Sequence, residues 1–375
     1  MKKNIVLMRL CKLLCLLLCL VLLSGLAADL SQYYDHNVYK LDAFYAEPKN
    51  TLDVVLLGAS EVFTDFSSGY AYDLYGFTSY PYALDSNPGA LYEAQLREIL
   101  RCQNPKKIVV EINGFLYEET DPLTASGSLR RLVNNIPFTW NKVDTILKNA
   151  NKEDMYFVFF SLAKDHERWK EWDTQWDQFL ERLHFRRNGS VLKGNLTTLN
   201  TYRGPDHRDV SGDEATAPLE PVSESCLRSF LEFCKEEQVD NVIFVRFPHV
   251  IATDENYERF CRGNEAGRII EEYGFEYLNL EKEFYQIGLE PEDFYNEDHM
   301  NIYGQQKFTD YFGRILAEEY GIMETKLAQG QYHIWDKAAL YTRRFYELAD
   351  QRMQKDIGSS MYENRELMEI LDNWE

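Results

Sequence analysis

Apolar residues recur along this chain with two different periods, and the changes of period mark its elements. Val54 to Leu57 are four consecutive β-compatible residues closed by Gly58, the pattern of a short strand buried on both faces. Residues 77–82 and 107–112 read the same way. Between them the period becomes helical. Leu91, Ala94, Leu96, Ile99 and Leu100 form a stripe over residues 90–102, opened by Pro88-Gly89 and ended by Asn104-Pro105. A shorter helix is predicted up to Tyr75, with Ser67 or Ser68 as N-cap and Gly76 as its stop. The connections are short, so β-α-β-α-β is laid down within residues 53–112. That order implies an α/β fold with a flavodoxin-like doubly wound parallel sheet. The pattern resumes later with a helix at 224–237, a strand at 241–247, a helix at 256–273 stopped by Gly274, a strand at 276–280 and a closing helix at 302–320.

The middle and the ends read differently. Residues 31–50 are rich in Tyr and Asp and are expected to form a stem packed on the domain, and residues 140–150 are expected to be helical. Residues 154–185 are crowded with aromatics, and Trp169, Trp172, Trp176 and Phe179 fall at i, i+3, i+7 and i+10 on one helix face. A core face is the favoured reading of that stripe; a lid or a platform for sugar rings is the other. Residues 186–218 are irregular, and Asn188-Gly-Ser and Asn195-Leu-Thr are glycosylation sequons in form. The organisation expected is therefore an N-terminal segment (1–28), an α/β domain (29–323) carrying an aromatic helical and irregular insertion at about 140–220, and two or three polar helices in the tail (324–375).

At the N-terminus Lys2, Lys3, Arg9 and Lys12 precede residues 13–28, which carry no charge. A basic head and an apolar run of this length fit either a signal peptide, with Leu26-Ala27-Ala28 as a weak cleavage site, or a retained signal anchor, the favoured reading. The basic head stays cytoplasmic, so the rest is expected outside the membrane, attached to it or secreted.

Composition narrows the partners. The net charge of −21, from 40 basic and 61 acidic residues, argues against duplex nucleic-acid binding. The 45% hydrophobic content of 375 residues suffices for a sizeable core. Cys102, Cys226, Cys234 and Cys261 show no CxxC spacing and are expected as free thiols, although one disulfide among them is compatible with the pattern. His166, His184 and His207 lie near acidic residues, but no HxH or HExxH spacing exists, so no metal or other cofactor is expected.

The chemistry starts at Ser60, two residues past the first strand. The carboxyl edge of an open α/β sheet is where ligands bind. His299 lies in the loop before the last helix, which should return to that edge, where it could take the Ser60 proton and later protonate a leaving group. Oxyanion donors would be the Ser60 N–H, the Ala83 N–H and the Asn113 side chain. Arg246 ends a strand; an ion pair with a carboxylate is favoured over anion binding.

Gly58-Ala59-Ser60, the Tyr82-Ala83 turn, Asn113 and the late His299 resemble the four blocks of the SGNH (GDSL-like) hydrolase superfamily. With residues 66–82, 134–137, 166–169 and 294–308, the closer similarity is to exported, membrane-anchored SGNH-like proteins distantly similar to the teichoic-acid D-alanylation protein DltD. The resemblance implies a Ser-His-Asp site and O-acyl ester chemistry, by hydrolysis or transfer, on an envelope glycan or acylated polymer. It also implies a membrane-embedded acyl-donor protein as partner. The sequence departs from the family pattern at Ala59, usually Asp, and at Asn296, where the family has the Asp that supports the histidine. Asp298 or Asp293 would have to substitute, or Ser60 and His299 work as a dyad, or the copy is degenerate and binds glycan or a membrane partner.

Overall fold

The computed structural model describes residues 2–32, 35–117, 126–152, 155–159, 166–322, 327 and 329–358. The tail beyond 358 and the side chains of Phe157, Phe160, His166 and Trp169 lie outside the described residues. The chain opens with α1 (Lys2–Ser31), whose stretch Met8–Ser31 is long and apolar enough to cross a membrane. At 1.5 Å per residue its 24 residues span roughly 36 Å, against about 30 Å of hydrocarbon. It continues as α2 (His36–Ala46), the stem, capped by Asp35, whose side chain accepts from the Asn37 and Val38 N–H groups.

The sheet begins at β1 (Val54–Gly58), followed by α3 (Ser60–Asp65), α4 (Ser68–Tyr75), β2 (Ser79–Ala83), α5 (Tyr92–Cys102) and β3 (Lys107–Glu111). Helix α6 (Ser126–Val133) leads to the insertion, whose described helices are α7 (Trp140–Asn149), α8 (Met155–Phe159) and α9 (Trp172–Asn188). Then come α10 (Pro221–Glu236), β4 (Val242–Arg246), α11 (Asp254–Glu272), β5 (Tyr277–Asn279), α12 (Phe284–Ile287), a short β6 (Phe294–Asn296) and β7 (His299–Met300) hairpin, α13 (Ile302–Arg314) and α14 (Gln329–Met353). Five parallel strands stand in the order β2-β1-β3-β4-β5, the flavodoxin-like order.

Strand period sorts the core. Val55, Leu57, Tyr82, Val110 and Phe244 pack with Phe44 of α2, Leu96 of α5 and Phe230 of α10. Val54, Leu56, Val109 and Val245 pack on the other face with Phe63 of α3, Ala71 of α4 and Phe308 of α13. Gly76 stops α4 in the left-handed region, φ 77°, which favours glycine.

The insertion contributes rigid structure as well as surface. Asn195 is buried: its Oδ1 accepts from the Ser68 N–H at 2.8 Å, and its amide donates to the carbonyls of Phe63 and Phe66. A residue so placed is a strut under α3 and α4, and its sequon is sterically closed to a glycan. The core-face reading of the aromatic stripe is corrected at its two described tryptophans. Trp172 and Trp176 are 54% and 43% exposed, stacked at 6.0 Å, while Gln175 and Arg182 take the buried face of α9. The reason is electrostatic: the buried Arg182 guanidinium, held by Asp42 and Asp29, faces inward from the neighbouring side of the helix and leaves the tryptophans turned out.

Candidate active site

Strands β1 and β3 run side by side, and the order reverses there: β2 lies beyond β1 on one side, β4 beyond β3 on the other. The crevice at such a switch point opens beyond the strands' carboxyl ends. Gly58 ends β1 and Ser60 is the first residue of α3, so its own N–H belongs to the helix turn that has no intrahelical acceptor. Ala83, at the end of β2, is in register with Gly58. Asn113 stands two residues past the end of β3.

His299 reaches this place from the β6–β7 hairpin. Its Nε2 lies 2.7 Å from Ser60 Oγ, and its Nδ1 lies 2.9 Å from Asn296 Oδ1. Both ring nitrogens are therefore committed, and Ser60 and His299 are both only partly buried. Two further donors converge on Asn296 Oδ1: the Asp298 N–H at 3.0 Å and the His299 N–H at 2.9 Å. An amide NH2 in that position would confront two backbone donors, so the oxygen must face the ring. The ring then carries its proton on Nδ1 and turns the Nε2 lone pair to the serine hydroxyl. This is the tautomer that a general base requires.

The α3 helix and the histidine hairpin are fastened together. Asp65, at the end of the helix that Ser60 opens, is fully buried and accepts from the Met300 N–H at 2.9 Å and the Thr64 hydroxyl at 2.6 Å. Burial holds its carboxyl well above the usual range. Asn301 caps α13 by accepting from the Tyr303 N–H, and its amide donates to the Glu292 carbonyl at 2.7 Å.

The chain matches no family model and no curated protein. What the site can do therefore rests on its own geometry.

Behind Ser60 stands a buried ionic network drawn from four strand ends. Glu61 accepts from Asn113 Nδ2, and Asn113 Oδ1 accepts from Arg246 Nη1 at 2.9 Å. Arg246 pairs with Glu111 at 3.4 Å and Glu281 at 3.2 Å, so it is an ion-pair residue, as the many carboxylates of the chain favoured. His249 closes the circuit, with Nδ1 3.0 Å from Glu281 and Nε2 3.7 Å from Glu61. Burial and Arg246 pull His249 down, but Glu281 and Glu61 outweigh them and push it up to about 9. Burial and Glu61 push Glu111 up to about 7. Burial alone would raise Glu61 and Glu281; His249, with His299 for Glu61 and Arg246 for Glu281, holds both below the usual carboxylate range. One amide hydrogen of Asn113 is thus spent inside this network, leaving one for an oxyanion.

Asp298 and Asp293, the carboxylates flanking Asn296 in sequence, are occupied elsewhere. Asp298 pairs with Arg259 at 2.9 Å. Burial would raise it, but the charges of His249, Arg259 and His299 hold it below its usual range, so it acts on the ring through space. Asp293 pairs with Lys307 at 2.7 Å and accepts from the Glu290 N–H. His207 is a core residue stacked on Phe284 at 3.7 Å, and burial lowers it to about 4. His184 contacts Asn188 on α9. An apolar cavity of about 130 Å³ lies between α2, α9 and Phe345, but neither Ser60 nor His299 lines it.

Glu61, Asp65, His249 and Glu281 were not singled out from sequence. Glu61 adjoins Ser60, while His249 and Glu281 each follow a strand's carboxyl end, so the edge rule that selected Ser60 would have found them too.

Proposed function

We propose that this chain is an extracytoplasmic SGNH-type serine esterase or O-acyltransferase. It acts on acyl esters of a cell-envelope glycan or a teichoic-acid-like polymer, beside a membrane-embedded acyl-donor protein. The observation that carries the chemistry is the relay Ser60 Oγ–His299 Nε2–Asn296 Oδ1, with the ring in its base-competent tautomer. In the reaction Ser60 Oγ attacks the ester carbonyl while its proton passes to His299 Nε2. The tetrahedral oxyanion is met by the Ser60 and Ala83 N–H groups and the remaining Asn113 hydrogen. Collapse releases the alcohol, which takes the proton from Nε2, and leaves acyl-Ser60 for water or a glycan hydroxyl. The resemblance of the sequence blocks supplies the polymer substrate; the apolar α1 supports the location at a membrane.

Asn296 favours a second reading. Without a carboxylate hydrogen-bonded to the ring the imidazolium lacks its closest stabilising charge, and a non-catalytic envelope protein could keep the same cleft to bind glycan or a membrane partner. Fluorophosphonate labelling of the full chain in detergent separates the two. Labelling abolished by Ser60→Ala and His299→Ala is expected. A folded wild type that stays unlabelled across pH 6–9, together with glycan binding that survives Ser60→Ala, would decide for the binding protein.

A further inference from the structure

Helix α9 is riveted to the carboxyl end of α1. Arg182, 1% exposed, pairs with Asp29 at 3.0 Å and with Asp42, and donates to Gln32 Oε1 at 3.0 Å and to Asn135 Oδ1 at 2.9 Å. One turn on, Arg186 grips the same two aspartates at 2.9 and 3.0 Å. Arg168, before the helix, donates to the Gln32 carbonyl at 2.6 Å. A guanidinium held by so many acceptors fixes the orientation of its helix, because breaking one partner would strand a buried charge.

Asp29 is the first charged residue after the apolar run, so this rivet sits where a membrane-spanning α1 would leave the hydrocarbon. The part of α9 not facing α1 and α2 carries Trp172, Trp176, Leu180 and Leu183 at helical spacing, 42–54% exposed, with the tryptophans stacked at 6.0 Å. Four large apolar side chains left in water would forfeit the burial that about 25 cal/mol per Å² rewards. Lys142 of α7 feels the charges of Asp29 and Arg182, while the exposed Trp140 faces a separate groove with Arg97, Arg101 and Phe233. Tryptophan at the point where a span emerges is the composition of a headgroup belt.

We propose that the Trp172–Trp176–Leu180–Leu183 stripe of α9 lies in the headgroup region of the bilayer that α1 enters, so that the domain rests on lipid beside its anchor. The proposal depends on α1 being retained as an anchor and is independent of any chemistry at Ser60. The acidic chain makes zwitterionic lipid the appropriate probe.

The test reconstitutes the full chain in phosphatidylcholine vesicles whose acyl chains carry bromine either close to the headgroups or near the bilayer centre, and follows tryptophan fluorescence. Shallow bromines should quench more than deep ones, and most of that shallow quenching should be lost in the Trp172→Phe, Trp176→Phe double variant. Alkaline carbonate extraction, run in parallel, reports whether α1 is inserted. Equal shallow quenching in wild type and double variant, with α1 resisting extraction, would overturn the lipid contact and leave the stripe to a sugar or a protein. Release by carbonate would overturn it by removing the anchor.

Discussion

Asn296 decides how this site is to be understood at the scale of single residues. In serine proteases, replacing the supporting Asp by Asn costs about four orders of magnitude because the amide imposes the wrong tautomer. Here the Asp298 and His299 N–H groups hold Oδ1 toward the ring, so the tautomer survives and only the negative charge is missing. Asn296→Asp should therefore accelerate fluorophosphonate labelling of Ser60, by well under the ~10⁴-fold associated with tautomer loss. Second-order labelling rates measured side by side would check this; an unchanged or slower rate would mean that charge on the ring does not limit the reaction. Sequence made Ser60, His299 and Asn296 legible because each follows a strand or precedes a helix that brings it to one edge. Which way the amide faces was not legible, since two backbone donors decide it. The same holds for Asp65, whose partner is a main-chain N–H 235 residues away.

At the scale of elements the strands and long helices follow from period alone, because burial on two faces leaves little choice of residue. Differences at the boundaries are small: β2 is Ser79–Ala83 rather than 77–82, and α13 passes at Arg314 into a π-helical turn, Ile315–Glu319. The aromatic stripe of α9 was misread because period identifies an apolar face and says nothing about what covers it. The β1–α3 turn is the element on which the site depends most. A Cβ on Gly58 would overlap Val62 Cγ2 and approach Glu111 Cβ to 2.9 Å, so β1, α3 and β3 meet there at a distance that only glycine permits. Gly58→Ala should cost about 1–3 kcal/mol by overpacking, read from urea denaturation. It should also slow Ser60 labelling more than the stability loss explains, since α3 carries the serine. A variant as stable and as reactive as wild type would mean that the turn relaxes freely.

The whole molecule is tied together by the ionic network beneath the sheet edge, which joins α3, β3, β4 and the end of β5 through Glu61, Glu111, Arg246, His249 and Glu281. Its groups titrate in different ranges, and the sign for each follows from which state binds the proton more tightly. His249 is pushed up to about 9 from an ordinary 6.5, so its contribution is complete below about 6.5 and is lost as pH rises through 9. Glu111, up to about 7, acts in the same sense at lower pH. Glu61 and Glu281 are depressed, so their contributions are present at neutral pH and disappear in acid. Between pH 8 and 10 the His249 loss dominates within this network, because Glu111, half titrated near pH 7, has by then given up most of its proton and the other two carboxylates stay ionised. Lys40, which burial lowers to about 7, acts in the opposite sense over the same range, so the His249 part is read as the difference in urea midpoint between wild type and a His249 variant. His249→Gln should lower stability at pH 7, since it removes the imidazolium that both Glu61 and Glu281 contact, and the deficit relative to wild type should shrink toward pH 10. A His249→Gln variant whose midpoint follows the same pH dependence as wild type from pH 8 to 10 would show that the histidine is neutral in the folded protein and that Arg246 alone balances the buried carboxylates.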